Sequence, residues 1–170
     1  MKLKILAAAA VLALGTSSAF AADITYDAGS IPLAPDTFYH LFDHPDIGMF
    51  TDTITFSITA GDLSSSANPL NVMLKGVNTS NIDGLSYVLW SGEDNLGTFA
   101  GDNSTWTMTL PAGDYVVKVS GNANGTHGGT YGFDMQLAAV PEPETYAMLL
   151  AGLGLVGFAA RRRNTPEKFV

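Results

Sequence analysis

The chain has 170 residues, no cysteine and a formal net charge of −8. Without cysteine it has no disulfide staple and no thiol chemistry. Between Asp23 and Val140 only Lys75 and Lys118 stand against thirteen acids, a net charge near −11. A field of that sign repels nucleic acid and anionic lipid, so neither fits the body as a partner.

The first residues read as an export signal. Lys2 and Lys4 form a positive start, and Ile5–Leu14 is an apolar run too short to span a bilayer. Ala19 and Ala21 place small residues at the −3 and −1 positions, so cleavage is expected after Ala21 and residues 1–21 are a signal peptide.

Residues 22–140 are predicted to form one all-β domain, since no 3.6-residue apolar stripe appears and apolar residues alternate. Short strands are expected at Ile24–Tyr26 and Thr37–Phe42. Met49–Ala60 is the clearest strand, with Phe50, Ile54, Phe56 and Ile58 on one face and threonines and a serine on the other. Asp52 falls in the apolar phase. Leu70–Val77 alternates next, with Leu70, Val72 and Leu74 in phase, and Leu85–Trp90 is apolar on both faces, as in a central strand. Ser104–Leu110 is expected to turn Trp106, Met108 and Leu110 inward, and Pro111–Asp114 to make a hairpin turn. Tyr115, Val117 and Val119 return. After a loop at Gly121–Gly129, Tyr131, Phe133, Met135 and Leu137 line the last strand. Seven or eight such strands with Gly/Asn/Pro turns predict an antiparallel β-sandwich of jelly-roll type.

Several positions are candidates for chemistry. His40, Asp43, His44 and Asp46 are a dense group of metal-ligand types, but Pro45 and the β pattern oppose the helix that would align the two rings. Asp52 in an inward phase must be paired, hydrogen-bonded or metal-bound. One reading makes it an acceptor for backbone amides at the sandwich edge. A second gathers it with Glu93, Asp94 and Asp102 around calcium, which takes several oxygen ligands. No cofactor other than calcium is suggested. No nucleophile elbow, zinc-protease motif or phosphate loop is present, so no catalytic residue is assigned. Asn78, Asn103 and Asn124 open Asn-x-Ser/Thr triplets, and Tyr87, Trp90, Phe99 and Trp106 are aromatics that stack on sugars where exposed.

The chain ends in three parts: Pro141-Glu142-Pro143, an uncharged apolar stretch at 146–160, and Arg161-Arg162-Arg163. The prolines keep the first part extended and short of amide donors. The apolar part, about fifteen residues broken by Gly152, Gly154 and Gly157, is shorter than the roughly 20 of a standing membrane helix. It suits a transient, short transmembrane helix, with a single-span anchor as the other reading. The arginines stay cytoplasmic, which makes 164–170 a cytoplasmic tail.

Two resemblances follow from these residues. The order of parts over 141–163 resembles the PEP-CTERM sorting signal, which implies recognition by exosortase-type machinery, passage through the inner membrane and delivery to the cell surface or matrix of a bacterium that makes exopolysaccharide. Phe50-x-Asp52 resembles the FxDxF subgroup of such proteins, with Ile54 where that motif has a second Phe. The Asp52-led strand ending in Ala60-Gly61, the Leu110-Pro111-Ala112-Gly113-Asp114-Tyr115 stretch and Gly129-Thr130-Tyr131 resemble the pre-peptidase C-terminal domain, which implies a jelly-roll sandwich. The expected function is that of an exported, non-catalytic surface or biofilm-matrix protein. The rival readings are a carbohydrate-binding module for the exopolysaccharide, and a small secreted hydrolase or an accessory to one.

Overall fold

The computed structural model describes residues 20–140 and 143–163. Most of the signal peptide, including Ala19, lies outside the described residues, as do Pro141, Glu142 and the tail 164–170.

The body is a sandwich of two main sheets. Its central element is β3 (Gly48–Ile58), whose inward set is Phe50, Asp52, Ile54, Phe56 and Ile58. That strand lies between β1 (Thr25–Ser30) and β10 (Gly113–Ala123), and the sheet continues through β7 (Ile82–Ser91) to β8 (Asp94–Ala100). The facing sheet runs β2 (Phe38–His44), β11 (Gly129–Ala138), β4 (Gly61–Pro69) and β9 (Trp106–Leu110). Tyr131, Phe133, Met135 and Leu137 of β11 are fully buried against Tyr115, Val117 and Val119 of β10 and the inward face of β3. Burial of this alternating set is the main driving force for the fold.

Several expectations needed correction. The sheets pair antiparallel, as expected, except where β1 joins β3 in parallel, and the described residues form eleven strands rather than seven or eight. Leu70–Val77 is not one strand. It forms a separate hairpin of β5 (Val72–Leu74) and β6 (Val77–Ser80), turned by Lys75 and Gly76 at φ of 51° and 81°. Positive φ at both central residues is the twist-matched two-residue turn, which a period-two reading runs through. Leu70, Val72 and Leu74 are therefore exposed. Trp106 keeps its phase but is 45% exposed, because β9 is an edge strand, and it leans on Phe99 with centroids 5.6 Å apart. β10 runs on to Ala123, shortening the loop expected from Gly121.

Pro111-Ala112 is a corner rather than a hairpin turn. β9 pairs with β4 in one sheet, whereas β10 pairs with β3 and β7 in the other. Tyr115 O–H pins the corner by donating to Pro111 O at 2.8 Å. Thr59-Ala60 likewise carries the chain from β3 to β4 across the sheets. Gly61 pairs with Leu110 and Gly113 with Ile58, so the two crossings lie side by side at one pole. β11 also ends there, with Leu33 bridging Leu137.

Beyond it, α1 (Pro143–Arg163) covers the expected apolar stretch. Pro143 starts the helix where a missing amide costs nothing. Among the described residues no helix is long and apolar enough to cross a membrane.

Candidate functional site

The most polar point of the interior is where β2 faces β3 across the sandwich. Strand alternation turns Asp52 inward and leaves it fully buried. Its carboxylate has three partners. Ile24 N–H donates to Oδ1 at 2.8 Å, Tyr131 O–H donates to Oδ2 at 2.7 Å, and His44 Nε2 lies 2.9 Å from Oδ2. His44, the last residue of β2, is also buried and places Nδ1 3.2 Å from Ala22 O. The hydrogens balance in two ways: an imidazolium against a carboxylate, or an imidazole protonated at Nδ1 that accepts from a carboxylic acid. In both, every polar atom of the cluster is satisfied, as burial demands.

Aromatic rings close the cluster. Phe50 stacks on the His44 ring at 3.8 Å and 17°, and lies parallel to Tyr131 at 5.8 Å. Phe42 stacks on Tyr131 at 5.0 Å. Phe50 and Asp52 thus act on the same ring from one strand face, one by stacking and one by hydrogen bonding. That is a physical reason for the Phe-x-Asp spacing. Burial, then the charge of Asp52 and the bond donated to it, push the Tyr131 phenol far above its ordinary range. Tyr87 makes a second inter-sheet link, with its hydroxyl 3.0 Å from Ser65 Oγ and donating to Ser65 O at 3.1 Å. Burial raises its phenol as well.

The other candidates separate. His40 is half-buried and stacks on Tyr26 at 4.1 Å, Asp43 accepts from Thr130 Oγ1 at 2.8 Å, and Asp46 is exposed. Asp52, Glu93, Asp94 and Asp102 are not gathered. Among the described residues no three His, Cys, Asp or Glu side chains stand where they could hold one metal ion. Asp102 is exposed in its own loop, where the Ser104 hydroxyl and amide hold its carboxyl below the usual carboxylate range. Asn78 and Asn103 are exposed; Asn124 donates to Asp83. Tyr87 is buried, Phe99 and Trp90 half-buried.

The sequence alone does not pair His44 with Asp52. Its inward phase on the Phe42–His44 alternation was the available signal. The distal partner, Asp52, is eight residues on, across a loop.

At the start of the described chain, Ala21 is a core residue, 4% exposed, and its N–H donates to Met49 O at 3.0 Å. Arg161 ends the exposed face of α1, and Arg162 and Arg163 complete the helix.

Comparison with known proteins separates the tail from the body. Residues 139–163 match the PEP-CTERM protein-sorting motif. The tail thus marks an exported protein handled by exosortase-type machinery and sorted at the membrane. No curated protein matches the chain. Among solved structures, the chain is similar to the pre-peptidase C-terminal domain of a Bacillus anthracis collagenase, at 19% identity over 68% of this chain and 97% of that one, with TM-score 0.41. It is also similar to Aeromonas hydrophila PliG, a periplasmic inhibitor of g-type lysozyme, at 15% identity over 68% and 99%, with TM-score 0.41. A PliG mutant from Escherichia coli follows at 13% identity over 67% and 98%, with TM-score 0.37. At these values the likeness is one of β-rich fold and extends to no activity.

Proposed function

We propose that this protein is a non-catalytic β-sandwich released to, or held in, the cell surface and extracellular polysaccharide layer after exosortase-type processing. One observation carries the reading. The segment matching the sorting motif begins at residue 139, directly after β11 ends at Ala138. The body is thus joined to its address with almost no linker. Its cluster of titratable groups supports a structural role, since His44, Asp52 and Tyr131 are sealed at 1% exposure or less and no substrate reaches them. This favours a passive module over the hydrolase reading.

Intact-mass measurement of the protein from its host is the test. Wild type is expected to end upstream of Val170, within or near Pro141–Pro143, and deletion of Arg161–Arg163 to leave an uncleaved, membrane-held precursor. A mature C-terminus still at Val170 would overturn the reading.

A further inference from the structure

The outer face of the five-stranded sheet has a feature that neither the buried cluster nor the sorting tail uses. Pairing aligns Asp27 of β1 with Thr55 of β3, Thr55 with Val116 of β10, and Val116 with Trp90 of β7. Their strand neighbours on the opposite face are buried or half-buried, so the four side chains form one row across the strands on the solvent side. Neighbouring strands are about 4.8 Å apart, which makes the row roughly 14 Å long. Two open depressions, of about 380 and 530 Å³, lie along it and share Gly92 and Val116. Together they form one trough. Trp90 and Lys118 stand at one end, Asp27 and Ser57 at the other.

We propose that this trough binds a neutral, hydroxyl-rich polysaccharide, with Trp90 as its stacking platform. The proposal rests on the reading that the body resides in the polysaccharide layer, and it assigns the surface that holds it there.

Trp90 is half-buried, and Lys118 Nζ lies over its ring at 5.6 Å from the centroid. Lys118 itself is exposed, so a flexible amine is what a ligand must displace to reach the indole. The indole offers an apolar face to the C–H face of a pyranose ring. Gly92, in the turn after β7, has φ +58° and nothing within 4 Å of where a Cβ would stand, which leaves the tryptophan end open. Farther along, Thr55 and Ser57 supply hydroxyls, and Asp27 and Asp114 supply carboxylates that accept from sugar hydroxyls. Thr55 already donates to Asp27 at 3.3 Å, so these groups are oriented. All of them stand on paired strands rather than on loops, and a site on rigid elements binds with little ordering cost. The charges choose the polymer: Asp27, Asp114 and Glu93 outnumber Lys118, on a body near −11, so a uronate chain is repelled and a neutral one is not.

The test is affinity electrophoresis of the processed protein, purified from its host, in gels containing the neutral or the uronate fraction of the host's own extracellular polysaccharide. The neutral fraction is expected to retard the wild type and the uronate fraction to leave it unretarded. Trp90→Ala should lower affinity roughly tenfold or more with the melting temperature retained. Trp106→Ala, at the other tryptophan, should bind as wild type. Thr55→Arg fills the trough from a different strand and should also abolish retardation, which covers failure of Trp90→Ala to fold. No retardation by the neutral fraction, retardation that survives both trough variants, or preference for the uronate fraction each overturns the proposal. The C-terminal mass of the same sample separates this from the sorting reading: a processed but unretarded protein sinks the trough alone.

Discussion

His44 and Asp52 meet across the gap between the two sheets, His44 Nε2 lying 2.9 Å from Asp52 Oδ2 with both side chains buried. The contact joins the end of β2 to the middle of β3, and through Ile24 and Ala22 it also ties down the chain leading into β1. One inward carboxylate therefore locks three segments.

Replacing Asp52 by Ala is expected to destabilise the domain by at least about 1–3 kcal/mol, the cost of leaving a buried hydrogen-bonding group without its partner. It strands the Ile24 amide, the Tyr131 hydroxyl and the His44 ring together. Urea unfolding measures it. The loss should be the same in calcium and in chelator. A wild-type melting temperature that rises in calcium and fails to do so in Asp52→Ala would instead make Asp52 a ligand.

Tyr131→Phe removes one hydrogen bond to the carboxylate and is expected to cost roughly 1.5–3 kcal/mol at neutral pH. It should also alter the alkaline limb. The folded state holds the Tyr131 proton above the ordinary value of 10.0. The unfolded chain releases it near that value, so this contribution is complete below about pH 10 and falls as pH rises. The slope is at most ~1.4 kcal/mol per pH unit for this one group. Stability curves at pH 8 to 11, values chosen to span roughly the free phenol range, should fall less steeply in the variant. An equally steep fall in both proteins would contradict burial of this phenol.

The two corner glycines are expected to behave differently although both follow alanine. A Cβ on Gly61 would lie 2.5 Å from Ala138 O, a backbone atom that cannot swing aside. On Gly113 it would meet only Tyr115 side-chain atoms at 3.7 Å. Gly61→Ala should therefore cost about 1–3 kcal/mol, in the range of overpacked sites, and Gly113→Ala should lie within about 0.5 kcal/mol of wild type. Equal thermal shifts for the two would show that the corners are looser than they stand here.

Ala21 gives a processing prediction. Its methyl is in the core and its amide is bonded to Met49 O. Cleavage after Ala21 must therefore precede closure of this edge. Folded precursor is expected to resist purified signal peptidase, and the same precursor in denaturant, diluted into enzyme, to be cut. A chain beginning at Phe20 should be more stable than one beginning at Ala22 by about 1–2 kcal/mol, from one small buried side chain and one hydrogen bond. Equal cleavage of folded and unfolded precursor would refute the order of events.

Much was legible in the residues because side-chain direction in a strand repeats every two. That period sufficed for the inward faces of β3, β10 and β11, and for the anomaly of an aspartate among Phe50, Ile54 and Phe56. The tail was legible for a different reason, since order and charge are linear properties. The sandwich class followed from counting such segments.

What only the tertiary structure decided is which strand each one meets. Period two turns Asp52 inward and, only when the strand is carried past Phe42, His44 as well, and nothing in it says that they point at each other. That contact needs β2 and β3 in opposite sheets, and sheet membership is set by non-local pairing. For the same reason Pro111-Ala112 read as a hairpin and is a crossing, since a tight turn looks alike whether the next strand returns to its own sheet or to the other. Trp106 has the predicted phase yet remains exposed, because an edge strand has no neighbour to cover its outer end. The trough along Asp27, Thr55, Val116 and Trp90 is wholly of this kind. Those residues are scattered over the chain, and register across four strands, set by packing of the opposite, buried face, is what brings them into line.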